Sequence, residues 1–67
     1  MVIYMFDYYE KSINELRRMI KENKIPTRKE WDKYKTGKPL WSANSMMWVY
    51  CTTEDWDTFI EKLKEEN

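Results

Sequence analysis

The sequence predicts a small all-α domain of three or four short helices, with a helix-turn-helix-like core and an apolar N-terminal arm. Three observations predict it. Apolar residues recur at helical spacing in the segments from Tyr9 and from Trp56. Ser- and Thr-led starts with helix-capping character recur along the chain. The breakers are few, one Gly and two Pro, and they fall between the periodic segments. At 67 residues the chain makes one domain, residues 1–67. A chain this short buries only about 60% of its unfolded surface. Four Trp, five Tyr and two Phe supply the missing apolar area, each aromatic burying roughly 150–250 Å².

Met1–Phe6 is apolar and has no partner strand elsewhere, so it reads as an arm packed on the helices. Asp7 or Ser12 is placed to cap the first helix. Tyr9, Ile13, Leu16 and Met19 or Ile20 then form one apolar face, with Glu10, Lys11, Arg17, Arg18 and Lys21 opposite. Asn23 and Lys24 suit its end, and Pro26 forbids continuation. Thr27 and Glu30 form a T-x-x-E capping box, with Ile25 as the hydrophobic staple. The second helix runs to Tyr34 or Lys35, and Thr36-Gly37-Lys38-Pro39 turns the chain. Ser42 caps a third helix, Ala43 to about Cys51, whose apolar face is Ala43, Met46 or Met47, and Tyr50. Thr53 or Thr52 caps the last helix, with Glu54 and Asp55 in its first turn and Trp56, Phe59, Ile60 and Leu63 as its stripe. The expected core is Leu16, Ile20, Trp31, Tyr34, Tyr50, Trp56, Phe59, Ile60 and Leu63.

Composition removes whole classes of chemistry. Without His there is no His-based acid–base catalysis or nucleophilic triad, and few zinc or copper sites are open. Cys51 has no second Cys for a disulfide or a zinc cluster and reads as a small buried hydrophobe. A lone Gly37 excludes a phosphate-binding glycine loop. The acidic residues lie in polar helical faces or charge runs, with nothing to separate their environments as a catalytic pair requires. The expectation is a non-enzyme with no cofactor and no metal. No segment reads as a signal peptide or a membrane span, so a cytoplasmic protein is the default expectation.

Twelve basic and twelve acidic residues give zero net charge, unevenly spread. Lys24–Lys38 holds six basic residues against Glu30 and Asp32, a net of +4. Pro39–Thr53 holds none, and Glu54–Asn67 holds six acidic against two basic, a net of −4. A neutral chain still binds an anion through a basic segment, because the local field does the steering.

The pieces Glu15-Leu16, Ile25-Pro26-Thr27, Trp31 with Tyr34, Ser42-Ala43-Asn44-Ser45, and Asp55-Trp56 followed by Phe59, Ile60 and Leu63 form a further pattern. Across roughly Ile13 to Leu63 it resembles the homing-endonuclease-associated repeat, a small helical module of phage and mobile-element proteins. That resemblance implies a DNA-binding or accessory module with the helix after Ser42 in the recognition role. Ser42–Cys51 itself carries no Arg or Lys.

Two functional expectations follow. In the first, double-stranded DNA is bound: Arg28, Lys29, Lys33, Lys35 and Lys38 meet phosphates, Asn44 reads an adenine edge, and Ser42 or Ser45 reaches a base or phosphate. In the second, the chain is a small protein-binding regulator or inhibitor. Met46-Met47-Trp48-Val49-Tyr50 is too apolar for one short helix to bury on every side, leaving Trp48 outward, with Met47 and Trp41 beside it. A homodimer is one form of that second expectation.

Overall fold

The computed structural model describes residues 4–66. Four helices follow in order: α1 (Tyr4–Lys21), α2 (Arg28–Tyr34), α3 (Ala43–Cys51) and α4 (Trp56–Glu65). No strand occurs among the described residues. α3 is the hub: it packs against α1, α2 and α4, while α4 also packs on α1. This explains why α3 is the least charged helix, since three neighbours must be met with apolar surface.

The first helix starts earlier than its periodicity indicated. Tyr4–Phe6 are its opening turn, so the expected arm is helical there, and Met1–Ile3 lie outside the described residues. Nothing in Tyr4–Tyr8 breaks a helix, and Asp7 stands in the first turn, where a carboxylate offsets the positive end of the dipole. Neither Asp7 nor Ser12 is therefore the cap. α1 ends at Asn23 in the left-handed region (φ 59°), with the Lys24 N–H donating to the Met19 C=O at 2.8 Å.

α2 opens as its motif predicts. The Thr27 hydroxyl accepts from the Glu30 N–H (3.1 Å), and the Glu30 carboxylate accepts from the Thr27 N–H (2.9 Å). Ile25 is not the staple. It stands two residues before the cap, leaving Pro26 at the staple position, and it is exposed. Ser42 caps α3 by accepting from the Ser45 N–H at 3.3 Å. The cap of α4 is two or three residues later than expected. Asp55 is the N-cap residue, although its side chain makes no capping bond, and Thr52 closes α3 in the left-handed region (φ 49°, ψ 50°).

That last position carries a prediction. A β-branched residue in the left-handed region costs about 1–2 kcal/mol, and glycine avoids it. Thr52→Gly is expected to stabilise the domain by about 0.5–1 kcal/mol after its greater unfolded freedom is offset. Thermal denaturation followed by circular dichroism should show Tm raised by about 2–8 °C. A lowered Tm would mean that the 3.5 Å contact from the Thr52 hydroxyl to the Trp48 C=O outweighs the backbone strain.

The core is Ile13, Leu16, Trp31, Ala43, Met46, Met47, Trp56, Phe59, Ile60 and Leu63. Six of the nine expected members are buried. Ile20, Tyr34 and Tyr50 sit at its edge, because all three lie where their helix face turns toward solvent. Phe59 centres the aromatic packing, 5.5 Å from Tyr50 edge-on and 5.3 Å from Trp56. Two indoles also bind loops. Trp31 Nε1 donates to the Trp41 C=O at 2.9 Å, and Trp56 Nε1 donates to the Pro26 C=O at 3.0 Å. Each tryptophan thus fills the core with its ring and satisfies a loop carbonyl with its edge. The link from α2 to α3 occupies residues 35–42, longer than the tight turn of about 3–4 residues in a helix-turn-helix.

Candidate nucleic-acid interface on the second and third helices

Burying three sides of α3 leaves one strip outward. Asn44, Ser45, Trp48, Val49 and Thr52 are exposed, while Ala43, Met46 and Met47 are fully buried. Trp48 is 46% exposed and Val49 50%, the two most exposed large apolar residues among those described. The strip bears no charge, in a chain that is 36% charged. Elsewhere the outward helix faces are mostly Lys, Arg, Glu and Asp.

The start of α3 is held against α2. The Asp32 carboxylate accepts from the Ala43 N–H at 3.0 Å, satisfying one of the orphan donors at that helix end. Arg28 and Lys35 lie four before and three after Asp32, so helical spacing puts them on the same flank of α2. Asp32 thus docks α2 on the first turn of α3, while Arg28, at the start of α2, lines a groove with Asp55, Asp57 and Glu61. Lys29 and Lys33 share the next row, turned fully to solvent. None of these four cations has an ion-pair partner among the described residues. Asp32 offsets part of their charge but is spent on the Ala43 N–H.

Lys38 does not join them. Its ammonium donates to the Tyr34 C=O at 3.0 Å and stands 4.3 Å from the Tyr34 ring centroid, closing the carboxyl end of α2. Tyr34 in turn donates through its hydroxyl to Glu15 at 2.6 Å, tying α2 to α1. Arg18 beside Glu15, and then that Tyr34 hydroxyl, hold the Glu15 carboxyl below its usual value. The same bond raises the Tyr34 hydroxyl.

Two residues expected on a protein-binding surface belong to the fold instead. Met47 is fully buried, because α3 needs its side toward the other helices to be apolar. Trp41 is half-buried with its ring 5.1 Å from Tyr9. Its N–H donates to Ser12 Oγ at 2.7 Å and its C=O accepts from Trp31, so both main-chain groups anchor the α2–α3 link. Ser42 spends its hydroxyl on the cap and on Ser45 Oγ at 3.1 Å. Val49 was not expected at the site. Its signal was available: it stands four residues after Ser45, in the same outward row.

Burial sets the remaining titratable groups. Burial pushes the Cys51 thiol up, the opposite of a reactive thiolate. Burial, with Glu66 alongside, pushes the Tyr50 hydroxyl up to about 12. Among the described residues no group of three acidic, His or Cys side chains is arranged to hold a metal ion, and no helix is long and apolar enough to cross a membrane. No family model, curated protein or solved structure matches the chain.

Proposed function

We propose that the protein binds double-stranded DNA, without catalysis, through the face where α2 meets the first two turns of α3. The observation that carries this is the uncharged outward strip of α3 beside α2, where Arg28, Lys29, Lys33 and Lys35 have no ion-pair partner among the described residues. Cations supply the sequence-independent affinity for phosphates, and an exposed helix face supplies base-edge contacts. The charge is graded along α3 in the useful direction. α2, which carries the cations, docks at its start through the Asp32–Ala43 bond, and Glu54 and Asp55 follow its end. DNA is thereby favoured at the amino-terminal turns, the end of a recognition helix that usually meets base edges. The reading accords with the resemblance of residues 13–63 to the homing-endonuclease-associated repeat.

The test is fluorescence anisotropy of a labelled mixed-sequence duplex at about 50 and 200 mM salt. Micromolar binding at the lower salt should weaken steeply at the higher. Arg28→Gln with Lys35→Gln should flatten the slope of log affinity against log salt by about 2, roughly one per phosphate contact. No binding at the lower salt overturns the reading.

One observation favours a second reading, a protein-binding regulator: Trp48 and Val49 are adjacent and about half exposed. It predicts binding that is indifferent to salt and lost in Trp48→Ala, a surface substitution expected to change stability by less than about 0.5 kcal/mol.

A further inference from the structure

The residues on the outward strip of α3 select among base pairs. We infer that this strip reads A·T pairs in the major groove, an inference that rests on the DNA-binding reading above. Discrimination in that groove follows donor and acceptor patterns. Guanine is read mainly by Arg or Lys on O6 and N7, and cytosine by an acidic side chain on N4. The strip offers neither, since Asn44, Ser45, Trp48, Val49 and Thr52 are all uncharged. Adenine is read by Asn or Gln, bidentate on N6 and N7, and the thymine methyl by apolar contact.

Asn44 is the only amide side chain on α3, and it is exposed in the first turn. Trp48 follows one turn later, on the same side by helical spacing. An adenine contact at Asn44 and a thymine-methyl contact at Trp48 therefore fall in sequence along one helix edge. The cations stand on α2 and at its end, beside α3, and meet phosphates, so they supply affinity without naming a base.

The competition series uses the unaltered 67-residue chain, so folding is not in question there. Unlabelled duplexes of equal length compete with a labelled A·T-rich duplex at about 50 mM salt. One competitor is A·T-rich and one G·C-rich. A third carries uracil for thymine, which removes the major-groove methyl. A fourth carries 7-deazaadenine, which removes N7. The A·T-rich duplex should compete about ten-fold better than the G·C-rich one. The uracil and 7-deazaadenine duplexes should each lose most of that advantage. Asn44→Ala should abolish sensitivity to 7-deazaadenine while leaving the salt dependence unchanged.

Equal competition by A·T-rich and G·C-rich duplexes overturns the inference and leaves duplex binding standing. So does an A·T preference indifferent to both modified bases, which places the contact in the minor groove or on the backbone. Failure of every duplex to bind overturns the inference together with the DNA reading, and leaves the strip to a protein partner.

Discussion

Replacing Trp31 by Ala is expected to unfold most of the protein at 25 °C. Trp31 is fully buried beneath α3, and its indole N–H holds the Trp41 carbonyl at 2.9 Å. Removing a buried tryptophan side chain costs about 3–5 kcal/mol. A single core in a chain of this size supplies about 3–5 kcal/mol in all. The loss therefore matches the whole stability. Trp31→Phe separates the two contributions. It keeps most of the ring and removes the indole N–H that the Trp41 carbonyl accepts at a part-buried site. The expected cost is about 1–2 kcal/mol, or Tm lowered by about 4–16 °C. Thermal melts by circular dichroism check both variants. A cooperative melt of Trp31→Ala close to that of the parent chain would remove Trp31 from the centre of the fold.

Ser12→Ala is expected to cost about 1–3 kcal/mol, far more than the loss of one hydroxyl on a surface helix. Ser12 is fully buried, with Oγ donating to the Tyr8 C=O and accepting from the Trp41 N–H, both at 2.7 Å. The Tyr8 carbonyl keeps its helical partner after the substitution. The Trp41 N–H loses the hydroxyl that accepts from it at this part-buried site. The damage is directional, since residues 35–42 are the segment that Trp31 and Ser12 hold from two sides. Amide exchange should accelerate first at Trp41, ahead of global unfolding. Unchanged exchange at Trp41 with unchanged Tm would show that this link is held by other contacts.

Much of the fold is legible locally. The T-x-x-E box of Thr27 and Glu30 identifies a helix start because both hydrogen bonds are made within four residues. Ser42 reads as the cap of α3 for the same reason. The stripe Trp56, Phe59, Ile60 and Leu63 points to one side of α4, and all four are buried. The start of α1 is less legible, because Asp7 and Ser12 have the chemistry of caps in any context. Only packing shows that Ser12 is an interior residue paired with a main-chain N–H 29 positions along the chain.

The candidate interface divides in the same way. The basic excess of residues 24–38 and the uncharged stretch that follows are visible by counting. Their allocation is not. α2 and its cations are fixed beside α3 because the Asp32 carboxylate accepts from the Ala43 N–H. Lys38 leaves the group because its ammonium meets the Tyr34 carbonyl. Five consecutive apolar residues, Met46–Tyr50, require that some be exposed, but no local rule chooses which. The chain by itself determined an all-α fold of three or four helices, the caps of α2 and α3 and the charge asymmetry, since these are read from a few neighbouring residues at a time. The tertiary structure decided that Met47 is core, that Trp41 is an anchor and that Trp48 and Val49 are surface. Those assignments depend on which sides of α3 its three neighbours occupy, and that follows from long-range packing that no short window of sequence contains.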